Sequence, residues 1–422
     1  MIGLYFATGF AVSYYCGQVL SPVFFRFHAA QQLCNNQRLR SATCVCFFVS
    51  QGAKMRSDHN YAYGMDALRC LSAVLVAIFH FTYYNPSAPW GMPFGWVGVE
   101  VFFVISGVVI ANSANAATPK EFVIGRFLRL YPAAWIAAIL SFVILLVVPR
   151  EIYMENGVKV YPGGRAFVSS LTLLNGYFLA SAYWTLQIEL AFYLLVWLSL
   201  LTGGRVTLIA LARALILLSC PYLVAYSAHA AGLVNWPWLD LEWGLKNALL
   251  VRHGPFFAIG IYIWWIAERR GIAQFDRVLI AVALLLAAIE IALRAADGIP
   301  SIIKFVTVSS ILAFASALPA IYLSMRHRGP LNLSAGIKNA LRAAGLMTYP
   351  FYLLHETVGG FVLHQAGNYG LSLTLSISAA LAATGVVAYA ICMFAEPWLA
   401  RRLRGPVSRL IGLQPRISAS RT

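Results

Sequence analysis

Long apolar blocks separated by short polar connections dominate the chain, and each block is about the length of a membrane-crossing helix, roughly 17 to 25 residues. The blocks fall at 67–84, 95–112, 132–149, 183–202, 206–226, 246–267, 276–294, 302–324, 345–366 and 371–395. They predict an all-α integral membrane protein, a bundle of about ten transmembrane helices. Pro and Gly occur inside several blocks, which membrane helices tolerate where neighbours or water satisfy the freed backbone groups.

The polar positions inside the blocks point to chemistry. The first block, GMDALRCLSAVLVAIFHF, holds Arg69 and His80. An arginine at a helix centre costs roughly 2.5–3.5 kcal/mol on insertion scales, so an ionisable group there is a functional-site hypothesis by default. The two residues are eleven apart, close to three helical turns. Both therefore project from one face, about 16 Å apart along the axis.

Composition changes the picture only by excluding alternatives. Charged residues make up 11% of the chain, against about 25% in soluble domains. The 31 Lys and Arg exceed the 15 Asp and Glu, but they are spread through short connections rather than gathered in one patch, so no nucleic-acid partner is expected. With residue 66 cytoplasmic, the connections on that side carry seventeen Lys and Arg, and the opposite ones only Arg150, Lys159 and Arg165. The positive-inside rule then places both ends of the core in the cytoplasm of a multi-pass inner-membrane protein bathed in membrane lipid. Seven cysteines show neither a CxxC pair nor a His-bearing metal spacing, so no disulfide framework, metal site or bound cofactor is expected.

Residues 1–54 stand apart from the core at 55–404 and the basic tail at 405–422. The stretch 2–24 is apolar enough for an extra span, and Met55 is an alternative start; both readings stand. About 27 residues follow the last span, so the membrane core is expected to carry the chemistry without an appended soluble domain.

Four further constellations accompany Arg69 and His80. Glu100 in GVEVFFVISG and Glu189 in YWTLQIELAFY, with Tyr193 one turn on, lie inside spans. Each also reads as a structural carboxylate, snorkelling to water or paired with a neighbouring helix. Arg126 and Arg129 in IGRFLRLYP sit at a cytoplasmic edge beside Tyr131; they read either as topology charge or as a bidentate phosphate clamp. In YPFYLLHE, Tyr352 and His355 are three apart, and His355 taken alone reads as a packed core histidine. Counted at 1.5 Å per residue through a core about 30 Å thick, His80, His355, Glu189 and Glu100 share a level. That predicts a polar cavity suited to proton transfer.

The ordered set DALR…H, GVEVFFVISG, RFLRLYP, YWTLQIELAFYLL, FFAIG, YPFYLLH and FAEPWLARRLR resembles the membrane acyltransferase-3 family from about residue 64 to 404. The resemblance implies O-acylation of a cell-surface or lipid-linked saccharide, with acyl-CoA, usually acetyl-CoA, as co-substrate. It implies Arg69 and His80 as an essential pair, Arg126 and Arg129 as the family's RxxR, and Glu189 as its acidic position. On this basis Arg126, Arg129 and Tyr131 are expected to hold the donor, and His80 to act as general base oriented by Glu189 or Glu100. An acyl-imidazole relay stands beside it. Trp184, Tyr193, Tyr352 and His355 are the candidates for acceptor contact. The alternative from another class is a proton-coupled transporter, which buried His and Glu also suit; no internal repeat supports it.

Overall fold

The computed structural model describes residues 61–83, 91–148, 153, 160–174, 176–203, 205–239, 249–298, 300–328, 333–410 and 412. The segment 1–54, with its two readings, lies outside the described residues, as does Met55. Among the described residues the chain is almost wholly helical, without strands apart from an isolated bridge between Val160 and Ala180.

The helices are α1 (Tyr63–Thr82), α2 (Gly98–Ala114), α3 (Pro119–Val147), α4 (Gly164–Thr172), α5 (Trp184–Thr202), α6 (Arg205–Ala230), α7 (Gly254–Ala267), α8 (Gln274–Ala296) and α9 (Ile303–Arg326). They are followed by α10 (Ala335–Leu354), α11 (Gly360–Asn368), α12 (Leu373–Ala390) and α13 (Glu396–Leu410). Local chemistry sets several starts. At α3, Thr118 accepts from the Glu121 backbone while Glu121 reaches back to Thr118, a reciprocal cap, and Pro119 takes the first turn where its missing N–H costs nothing.

Eight helices among the described residues are long and apolar enough to cross a membrane, two fewer than the windows suggested. The window 246–267 shortens to α7, fourteen residues long, or about 21 Å against a core of about 30 Å. Residues 249–253, ahead of α7, are turn, with Leu250 at φ 54°. The window 345–366 is helical throughout, but a π-turn at His355–Gly359 joins α10 to α11 and its polar side chains lower its apolarity. A second π-turn, Ile391–Ala395, joins α12 to α13.

α2 is the most deeply buried span and packs chiefly on α7. The crossing depends on two glycines. A Cβ on Gly260 would lie 2.8 Å from Gly107 Cα, and one on Gly107 would lie 2.9 Å from Gly260 Cα. Small residues that let backbones touch are the usual currency of helix contact in lipid, where hydrophobicity supplies no drive. α1 lies between α2 and α10; Gly95 and Gly98 fit against the α1 backbone, and Gly345 fits against Asp66.

Candidate active site

The last turn of α1 brings His80 against the π-turn after α10. His80 Nδ1 lies 2.7 Å from His355 Nε2, the two rings within 2° of parallel. His355 is fully buried, and its Nδ1 lies 2.6 Å from the Tyr352 carbonyl oxygen. A carbonyl can only accept, so His355 Nδ1 carries a proton and donates it. In the neutral imidazole Nε2 is then bare and accepts from His80 Nδ1–H. It follows that the neutral His80 has a bare Nε2, the lone pair that a base or nucleophile needs. The chain runs from a fixed backbone carbonyl through two imidazoles to one free nitrogen.

A carboxylate completes the group. Glu356 is buried, and its Oε1 lies 3.4 Å from His80 Nδ1. Ser181 Oγ donates to the same oxygen, and the Ala182 backbone N–H donates to Oε2 at 3.1 Å. Both donors belong to the single turn of 3-10 helix, Ser181–Tyr183, that leads into α5. Below it, Thr357 is held by Ser141 at 2.9 Å and by Tyr153, whose hydroxyl donates to its carbonyl at 3.2 Å. The π-turn turns these adjacent side chains toward α1, α3 and the 181–183 turn; such widened turns recur at functional sites. Glu356 escaped the sequence reading, although it directly follows His355. Nothing local distinguishes it, because its partners come from α1 and from the turn before α5.

Glu189 and Glu100 are placed elsewhere. Glu189 Oε1 accepts from Tyr193 at 2.6 Å and from Ser106 at 3.2 Å. Glu100 is fully buried and pairs with Arg294 at 3.0 Å. The Arg294 guanidinium lies 5.0 Å from the Trp96 ring centre and 5.3 Å from that of Trp184. Beside it Arg252 pairs with the buried Glu290 at 2.6 Å. Arg294, Trp96, Phe79 and Asp297 line a cavity of about 200 Å³ at the end of α1 that carries His80. Tyr352 packs on Phe102 and on His355, with ring centres 5.8 and 5.6 Å apart.

At the other end of α1, Arg69 pairs with Asp66 at 3.5 Å, and Tyr61 donates to Asp66 at 2.6 Å. Burial first, and then that hydrogen bond, push the Tyr61 phenol well above its ordinary pKa. On α3 the two arginines diverge. Arg129 pairs with Glu396 at 3.3 Å. Arg126 makes no ion pair among the described residues; it lies over Phe122 and Tyr193, 5.7 and 5.9 Å from the ring centres. Tyr131 stacks on Phe127, ring centres 4.6 Å apart, and donates to the Thr172 carbonyl at 3.3 Å. α1 thus carries the Arg69 guanidinium toward one end and the His80 imidazole at the other.

The model of the acyltransferase domain known as acyltransferase-3 matches residues 62–396. The chain belongs to this family. It is a multi-pass membrane protein whose core is an acyltransferase domain, and both the imidazole pair and the arginines lie within the matched residues. Its similarity to a curated protein, the peptidoglycan O-acetyltransferase OatA of Listeria monocytogenes, is 27% identity over 162 residues, 33% of this chain and 24% of that protein. The acyltransferase thus spans only about a quarter of that relative's length. No solved structure matches the chain.

Proposed function

We propose that this acyltransferase moves an acyl group, most simply acetyl, from cytoplasmic acyl-CoA to a hydroxyl of a cell-surface or lipid-linked saccharide. The observation that carries it is the hydrogen-bond chain from the Tyr352 carbonyl through His355, which leaves His80 Nε2 bare within an acyltransferase core. In this scheme the donor's phosphates meet Arg126 with Arg69 and Arg129 nearby, and its thioester extends about 16 Å along α1 to His80. The acceptor enters from the opposite side, through the cavity at Trp96 and Arg294. The listerial relative's name favours a cell-wall glycan.

The chemistry balances without a cofactor. His80 Nε2 takes the hydroxyl proton as the acceptor oxygen attacks the thioester carbonyl. The tetrahedral intermediate collapses, the C–S bond breaks, and the thiolate leaves with the proton from Nε2. His80 returns to its starting tautomer. Arg69, Glu189 and Glu100 act through position and charge rather than on the proton itself. The protein sits in the inner membrane with both core ends cytoplasmic.

The decisive experiment supplies labelled acetyl-CoA to membranes containing the protein and follows label into glycan. Transfer is expected from the native chain and is lost in His80→Gln at matched abundance, since general acid–base catalysis contributes about 10²–10⁴ in rate. Undiminished transfer by a well-expressed His80→Gln protein would overturn the mechanism. Movement of an unmodified substrate across the membrane, without label in the glycan, would favour a transporter.

A further inference from the structure

Six acidic side chains among the described residues are buried: Asp66, Glu100, Asp276, Glu290, Glu356 and Glu396. Five pair with a guanidinium, through Arg69, Arg294, Arg213, Arg252 and Arg129 respectively. Glu356 differs: the basic group beside it is the imidazole of His80. A buried carboxylate without a counter-ion is costly. Here a hydroxyl from Ser181 and a backbone N–H from Ala182 hold it without neutralising it.

We infer that Glu356 is a positioning residue for acyl transfer, a built-in counter-ion for the imidazolium that His80 becomes when its Nε2 takes the acceptor's proton. The inference rests on His80 being the base. With His80 neutral, Nδ1–H donates chiefly to His355 at 2.7 Å, and Glu356 at 3.4 Å is a secondary acceptor. Once Nε2 is protonated, a full positive charge sits beside the buried carboxylate. The attraction then strengthens in the charged state more than in the neutral one, and only such differential interactions lower the barrier. The clamp from the 181–183 turn keeps the carboxylate in place beforehand, so no reorganisation is needed at the moment of transfer.

His80, His355 and Glu356 also offer three ligand atoms within 4.8 Å of one another. The distances separate the two uses. Two nitrogens on one tetrahedral zinc, each at about 2.0–2.1 Å, lie about 3.3–3.4 Å apart. The imidazole nitrogens here are 2.7 Å apart, the spacing of a hydrogen bond.

The test compares Glu356→Gln and Glu356→Asp in full-length protein with labelled acetyl-CoA. The Gln variant keeps the shape and the Ser181 contact and loses the charge. Its kcat is expected to fall at least about tenfold, toward the 10² that begins the range for acid–base catalysis, with KM for donor within twofold of native. The Asp variant recovers part of the loss because the charge returns. A Gln variant with native kcat, while His80→Gln is inactive, overturns the inference and leaves the base intact. Activity surviving in His80→Gln strikes the base itself. Should Glu356→Gln fail to accumulate, Ser181→Ala decides: a several-fold lower kcat at unchanged KM supports the clamp, and an unchanged kcat overturns it. Stoichiometric zinc in the purified native protein, absent from Glu356→Gln, would also overturn it.

Discussion

At the scale of single residues, the two arginines of RFLRLYP separate into different roles. Arg129 is matched to Glu396, whereas Arg126 lies over aromatic rings and makes no ion pair among the described residues. Arg126→Gln is therefore expected to raise the donor KM strongly with little change in thermal stability. Arg129→Gln should lower stability by leaving Glu396, 9% exposed, without its partner. Lys at position 126 should restore donor binding only in part, because the flat bidentate guanidinium is lost. Equal donor KM values for Arg126→Gln and the native enzyme would remove Arg126 from the donor site. Arg69 and His80 stood out in the sequence, because a charge inside an apolar block is conspicuous by its cost; Arg126 and Arg129 lie in a cytoplasmic connection, where they read either as topology charge or as a phosphate clamp. The pairing was not: His355 reads alone as a packed core histidine, and its partner lies 275 residues away. Depth counting along separate helices put Glu100 and Glu189 at the level of His80, yet it carries no information on which way each helix faces. Their actual neighbours, Arg294 and Tyr193, follow from helix rotation and packing.

At the scale of elements, the site depends on α2 holding its place between α1 and α7. The Gly107–Gly260 crossing leaves no room for a methyl group, and the obstructing atoms are backbone. Gly260→Ala is expected to destabilise the protein by about 1–3 kcal/mol through overpacking, read as a lower thermal midpoint in detergent. Gly271→Ala, where an added Cβ meets nothing within 4 Å, should leave the midpoint unchanged. Equal midpoints for the two variants would show that α2 and α7 can separate freely. The spans themselves were legible from apolarity because lipid forbids unsatisfied backbone and so forces helix wherever the block is long enough. The windows at 246–267 and 345–366 were the ones that changed, and both contain polar groups with tertiary partners. Arg252 is tied to Glu290, and the π-turn presents His355 and Glu356 to α1. Apolarity averaged over a window cannot register a side chain that is satisfied by a distant helix.

At the scale of the whole molecule, sidedness turns on α7. Its fourteen residues reach about 21 Å, short of a hydrocarbon core of about 30 Å. Residues 249–253 precede it as turns, with Leu250 and His253 buried and Arg252 neutralised by Glu290. Non-helical backbone is tolerated at membrane depth where protein surrounds it, and α2, α6, α8 and α9 pack around α7. Turn and helix together can therefore complete one crossing, which moves Arg269, Arg270 and Arg277 to the side favoured by the positive-inside rule. Reporter fusions after residues 270, 328 and 404 are accordingly expected to report cytoplasm, and those near 160 and 238 the opposite face. The pair at 238 and 270 is the sensitive one. If both report the same face, α7 is re-entrant, every connection after it changes sides, and the charge bias no longer assigns a compartment to the donor arginines. If 270 reports cytoplasm and 238 the opposite face, α1 runs from a cytoplasmic Arg69 end to an outward His80 end, the polarity that transfer from cytoplasmic donor to external acceptor requires.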